Sequence, residues 1–174
     1  MTIQKIHHVA YRCMDAARTV EFYQKYLDMG FVLAISEDKV PSTGEPDPYM
    51  HIFLDAGQGN VLAFFELPNS PQMSRDLNTP DWVQHIALKV ADEKTLVSIK
   101  QKLEQDKIEV IGPTNHGIFQ SIYFRDPDGH RIEIAYDTAS AEDLKRLNEV
   151  APQMLVDWTK TKKTQKHTAW LHEN

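Results

Sequence analysis

Two histidines open the same phrase. His8-Val-Ala-Tyr-Arg-Cys-Met-Asp15 returns as His85-Ile-Ala-Leu-Lys-Val-Ala-Asp92. Each copy reads His, β-branched, Ala, large apolar, basic, two variable residues, Asp. Each half later carries a strand with a carboxylate, Glu66 in Val-Leu-Ala-Phe-Phe-Glu-Leu and Glu133 in Arg-Ile-Glu-Ile-Ala-Tyr. Imidazole nitrogen and carboxylate oxygen are the donors of a divalent-metal site. A single His or Glu on a strand is more often hydrogen-bonded or solvent-facing. Four of them in matching positions of a repeated unit predict one shared site built by pseudo-twofold symmetry. His8, His85 and Glu133 are the expected metal ligands, with Glu66 as a possible fourth. Ala10, Ala87 and Ala135 each follow a candidate ligand by two, so a small side chain leaves room beside it.

The elements that must place these groups can be read from periodicity. Residues 6–13 alternate as a strand, with His8 and Ala10 on one face and Val9, Tyr11 and Cys13 on the other. Asp15 is suited to cap a helix carrying Val20, Tyr23, Tyr26 and Leu27, which Gly30 would end as a left-handed cap. Phe31–Ile35, Met50–Leu54 and Asn60–Leu67 read as strands. Residues 36–48, rich in Pro, Gly, Asp and Glu, read as a loop that absorbs the longer His-to-Glu span of the first half. After a polar linker at 68–80, the order repeats: a strand at 83–90, a helix capped by Asp92 with Leu96, Ile99 and Leu103 buried, and a strand at 108–111. A hairpin then turns at Asp126-Pro-Asp-Gly129. Ser140-Ala-Glu-Asp143 is a capping box for a further helix with a Leu144, Leu147, Val150, Met154, Leu155, Trp158 stripe. That stripe needs a partner surface. The expectation is an α+β fold: two βαβββ modules (5–67 and 82–137) forming an eight-stranded cupped mixed sheet in a domain spanning 1–137, plus a C-terminal helix and tail at 138–174.

Composition narrows the function. The chain of 174 residues has a net charge of −6 and a pI near 5.7, which argues against a nucleic-acid backbone binder. One cysteine excludes an internal disulfide framework and fits a reducing cytoplasm. No signal pattern or membrane-length apolar run is present. A cytoplasmic protein handling a small molecule, with no nucleic-acid or membrane partner, is expected.

The repeated modules, the His and Glu positions and the Glu21-Phe-Tyr…Leu27-Asp-Met-Gly30 helix resemble the vicinal oxygen chelate superfamily, which includes glyoxalase I, extradiol ring-cleaving dioxygenases and bleomycin-resistance proteins. The resemblance covers residues 5–137. It implies paired modules cupped around a divalent metal, and it implies a homodimer, with a metal site that two chains can line together. Thr114-Asn-His116, Ile122-Tyr123, Asp126-Pro-Asp-Gly129 and Glu133 together are similar to the extradiol dioxygenase signature. That implies Fe(II), with Mn(II), Ni(II) and Zn(II) as alternatives, on a two-His-one-carboxylate triad. Tyr123 and His116 would then touch substrate or oxygen. Asn60 stands where that family has an acid–base histidine, and it is expected to contact substrate, as is Phe64 on the cup wall. Two enzyme readings compete on Glu66. As a fourth ligand it would leave two metal positions and favour a glyoxalase-like isomerase or lyase acting through an enediolate. Off the metal, it leaves room for a catecholate and O2, and could itself serve as the acid–base. A non-catalytic binding protein of the same fold is the third reading.

Overall fold

A computed structural model describes residues 2–164 and 170. The first module runs β1 (Val9–Cys13), α1 (Ala16–Leu27), β2 (Gly30–Lys39), β3 (Pro46–Asp55) and β4 (Val61–Glu66). The second runs β5 (Ile86–Lys89), α2 (Glu93–Gln105), β6 (Ile111–Asn115), β7 (Phe119–Arg125) and β8 (Arg131–Asp137), and α3 (Ala141–Thr161) follows. The eight strands form two four-stranded mixed sheets, ordered β1-β4-β3-β2 and β5-β8-β7-β6. In each, the first strand pairs parallel with the last, so the helix must cross over the sheet between them. Among the described residues, no helix is long and apolar enough to cross a membrane.

Both caps form as the side chains dictate. Asp15 accepts from the Arg18 amide and Asp92 from the Thr95 amide. Ser140 and Asp143 close a reciprocal capping box on α3. The end of α1 differs from expectation: Asp28 takes the left-handed position at φ 55°, and Gly30 is already the first residue of β2. A short polar side chain tolerates that conformation, so no glycine is required there.

The stretch 36–48 is not a loop throughout. β2 and β3 continue through Ser36↔Met50 and Glu37↔Tyr49, leaving residues 40–45 as the turn. The Tyr49 hydroxyl donates to Glu37 at 3.0 Å. β2 is an edge strand with every residue exposed, so polar side chains cost nothing there, and composition alone misreads it.

One core serves both modules. Phe22, Tyr23, Tyr26, Leu62 and Phe64 from the first pack in the same apolar cluster as Leu96, Leu103, Ile122, Phe124, Ile132 and Ile134 from the second. Polar bonds stitch the seam. Tyr23 donates to buried Asp126 at 3.1 Å, Tyr26 to Asp106 at 2.7 Å, and Arg18 pairs with Asp128. His130 stacks near Tyr11 and its Nε2–H donates to the Arg12 carbonyl at 2.7 Å. By contrast, α3 buries none of its residues. Replacing Phe22, whose ring lies 6.3 Å from Phe124 across the seam, tests the shared core. Phe22→Ala is expected to cost about 3–5 kcal/mol in urea denaturation, as one cooperative transition.

Candidate metal and substrate site

Register decides which side chains share a face, because strand side chains alternate. In the second module Ala87 pairs with Glu133 and Tyr123 pairs with Glu133 from the other side. His85, just before β5, joins the same face. There the side chains form a chain of bonds. His85 Nε2 lies 2.9 Å from Glu133 Oε2, the Tyr123 hydroxyl donates to Glu133 Oε1 at 2.8 Å, and His116 Nε2 lies 2.8 Å from the Tyr123 oxygen. Phe119 stacks on His116 at 4.7 Å. Four of the residues singled out from sequence, His85, His116, Tyr123 and Glu133, are therefore brought together.

The protons on this chain follow from its acceptors. His85 Nδ1 faces the Val83 carbonyl at 3.0 Å, and a carbonyl only accepts, so that nitrogen carries hydrogen. Nε2 then presents either a lone pair or a second proton to a carboxylate. Two lone pairs repel, so a proton or a cation belongs between them. Glu133's side chain is only 4% exposed, and a carboxylate so desolvated is costly unless paired or coordinated. A carbonyl-oriented imidazole beside a buried carboxylate is a donor set that fits a divalent metal. Burial, reinforced by the Glu133 carboxylate, raises the Tyr123 phenol above its usual value, keeping it a neutral donor.

The first module departs from its mirror image. Ala10, the counterpart of Ala87, pairs with Ala63, so Ala63 stands where Glu133 stands in the second half. Glu66 pairs with Cys13, which is 1% exposed, and so belongs to the core face rather than to the face of His8 and Ala10. Its Oε2 accepts from the Ala16 amide at 2.7 Å, satisfying a free donor at the start of α1. The apparent match between Glu66 and Glu133 is a three-residue offset that reverses the face. Phe64 is likewise fully buried in the core between sheet and helix, not on a cup wall. Asn60 sits in the β3–β4 turn, where its side chain donates to the Gly57 carbonyl at 3.0 Å.

His8 shares its face with His51, which lies outside the repeated phrases. The His51 ring stacks on Phe65 at 3.6 Å and against Phe53 at 4.1 Å, and lies 6.1 Å from His8. Its Nε2 is buried and has no hydrogen-bond partner. Burial, with a contribution from His8, lowers its pKa below the ordinary histidine value. A histidine inside the apolar strand Tyr49–Leu54 is itself a sequence signal, because burying an unused imidazole costs free energy. His8 is exposed and its Nδ1 lies 2.8 Å from His7 Nδ1. Among the described residues, no group of three or more His, Cys, Asp or Glu is close enough to hold a metal. One chain thus carries His85 and Glu133 in one place and His8 with His51 in another.

Titration calorimetry with Zn(II) or Mn(II) separates the two glutamates. Glu133→Gln is expected to weaken binding at least tenfold. Glu66→Ala is expected to leave it unchanged while costing about 1 kcal/mol of stability through the lost α1 contact.

The geometry of repeated modules, one imidazole on each, can be set beside known proteins. A putative ring-cleaving dioxygenase, MhqA of Bacillus subtilis, is 27% identical over 140 residues, 79% of this chain and 42% of that protein. The metallothiol transferase FosB of Staphylococcus epidermidis is 27% identical over 158 residues, 87% of this chain and 96% of that protein. The chain thus spans less than half the length of the first relative and nearly all of the second. In fold, it is similar to a glyoxalase/bleomycin resistance protein/dioxygenase domain from Frankia sp., with a TM-score of 0.62 at 16% identity, covering 79% of this chain and 100% of that one. It is also similar to the glyoxalase I of Leishmania major, with a TM-score of 0.59 at 19% identity, covering 90% and 99%. The profile of the Glyoxalase/Bleomycin resistance protein/Dioxygenase superfamily matches residues 5–134, which takes in both modules and both histidine phrases, and the chain belongs to that superfamily.

Proposed function

We propose that this protein is an extradiol-type ring-cleaving dioxygenase acting on a catechol-like small molecule. The observation that carries the reading is the bonded series His116–Tyr123–Glu133–His85, with Glu66 on the opposite face of its own sheet. Three donors, His8, His85 and Glu133, leave open positions for a chelating substrate and O2. The glyoxalase-like alternative needs a fourth, and Glu66 is engaged with α1 instead.

In the reaction a C–C bond beside the catechol hydroxyls breaks and both oxygen atoms enter the product, the catechol supplying the electrons. A divalent metal, Fe(II) in the first instance, would chelate the substrate oxygens and conduct electrons between them and O2. The side chains do the rest. Glu133 and His85 would hold the metal, while the Val83 carbonyl fixes the His85 ring. Tyr123 and His116 offer hydrogen bonds to bound oxygens. His51, whose pKa is lowered by burial, is the base that takes a catechol proton, the role for which sequence offered Glu66.

His8 and His51 reach that site from a second copy of the chain in this reading. Neither contacts His85 or Glu133 within the chain, and the second sheet face is open, with Ala87 exposed. A homodimer that sets the first module of one copy against the second module of the other completes two equivalent sites. A non-catalytic binding protein needs none of this donor set.

Four measurements test the proposal. Oxygen uptake and ring-fission absorbance are expected when Fe(II)-loaded protein meets a panel of catechols in air; neither signal with any catechol would sink the reading. His51→Gln is expected to lower kcat about 100-fold or more with little change in metal affinity. In the wild type the acid limb of kcat belongs to His51. Its lowered pKa keeps the base unprotonated below the ordinary value of about 6.5, and the rate falls only as pH drops through that lowered pKa. Finally, His8→Ala and His85→Ala chains each lose tight metal binding alone. Mixed at random they recover about a quarter of the wild-type sites if sites are shared, and none if each site lies within one chain.

A further inference from the structure

We infer that the substrate carries a carboxylate, and that Arg131 binds it at a subsite beside His85. The inference rests on the proposed function for the identity of the substrate, but its own grounds are separate. Arg131 precedes Glu133 by two on β8 and shares its face. The pairing of Ile86 with Ile132 sets His85 next to Arg131 on the neighbouring strand. The Arg131 guanidinium lies over the Tyr123 ring, 4.3 Å from its centroid. Its Nε is buried and has no hydrogen-bond partner. Both residues line a cavity or its wall: His85 and Arg131 open onto about 860 Å³ of space between the linker and the second module.

Every other charged group on that cavity is accounted for. Asp81 is held by Arg75 at 2.5 Å and by Arg125 at 3.3 Å. Arg125 also donates to the Gly129 carbonyl at 2.6 Å. Asp128 pairs with Arg18. Asp76 accepts from the Thr79 hydroxyl at 2.6 Å and the Asn78 amide at 2.8 Å. His130 is committed to the Arg12 carbonyl. Arg131 is the cation on this wall that no carboxylate neutralises among the described residues.

A guanidinium stacked on a phenol ring is pre-oriented, and its fork of donors matches the two oxygens of a carboxylate. A buried Nε–H without a partner costs free energy that a bound anion recovers. Spacing agrees with a ring substrate. Residues two apart on a strand are separated by about 6.6 Å, comparable to the span of one aromatic ring. A catechol held at the His85 end of this cavity would present a ring substituent to Arg131 on the same wall.

The test is anaerobic titration calorimetry of the full-length protein with 3,4-dihydroxybenzoate and with its neutral amide, so that no turnover occurs. Wild type is expected to bind the carboxylate about tenfold or more tightly than the amide. Arg131→Met is expected to abolish that preference while leaving amide binding unchanged, and Arg131→Lys to keep part of it. Equal binding of the two ligands by wild type overturns the inference, as does an Arg131→Met protein that retains the preference or loses both ligands alike. If Arg131→Met does not fold, the wild-type comparison and Arg131→Lys decide. Oxygen uptake with catechols but no preference for the carboxylate removes the subsite alone. A carboxylate preference without any oxygen uptake upholds the subsite and removes ring cleavage.

Discussion

The two modules bury their helices and the helix-facing sides of their sheets against each other in a single core, and the site inherits its form from that packing. Leu62, Phe64 and Cys13 of the first sheet and Ile132, Ile134 and Phe124 of the second point inward to it. Side chains alternate along strands, so the residues between them must point the other way. His8, Ala10, Ala63 and Phe65 are thereby committed to one open face, and His85, Ala87 and Glu133 to another. A change of one residue in register on β4 or β8 would exchange core for site wholesale. The polar seam at Tyr23–Asp126, Tyr26–Asp106 and His130–Arg12 ties the modules together, because each bond has its donor on one side and its acceptor on the other. Asp126 is held partly against its charge, its pKa raised chiefly by burial, which is tolerable because the Tyr23 hydroxyl and turn amides surround it.

Within this frame, Glu133 is one of the carboxylates buried in the second half. A carboxylate almost removed from water is not stabilising in itself. Here one oxygen is taken by a phenol and the other faces an imidazole whose far nitrogen is already bonded to a carbonyl. Each partner is in turn positioned by backbone or by packing: His116 by the stacked Phe119, Tyr123 by its place opposite Glu133 in the ladder. Such an arrangement holds its geometry before anything binds, and a pre-set electrostatic environment is what a metal or a developing anion exploits.

Much of this could be read from residues alone, and the failures share one cause. The repeat, both helix N-caps and the capping box of α3 depend on local spacing, which sequence displays directly, while the grouping of His116, Tyr123 and Glu133 came from the family resemblance. Glu66 looked like the partner of Glu133 because both lie near the end of a strand after a histidine phrase. Which face a residue takes, however, depends on pairing with a distant strand, and β1–β4 register places Ala63, not Glu66, opposite the Ala after His. Phe64 failed for the same reason, one parity step from Phe65. His51 was missed in the reverse sense: its strand is legible, but the Phe65 ring that covers it is set by the pairing of β3 with β4.

The offset has a chemical consequence. A duplicated unit with both carboxylates in place would give a symmetric four-donor site, saturating most of a metal's positions. Here the first module keeps its histidine and has alanine where the carboxylate would be, while its freed face carries the Phe53–His51–Phe65 stack. A methyl group in that position coordinates nothing and crowds little. The asymmetry leaves the first module's face with two imidazoles, His8 and His51, and no carboxylate. Neutral imidazoles add no negative charge to a donor set and Glu133 does, so the two modules offer a cation different electrostatics despite their common fold.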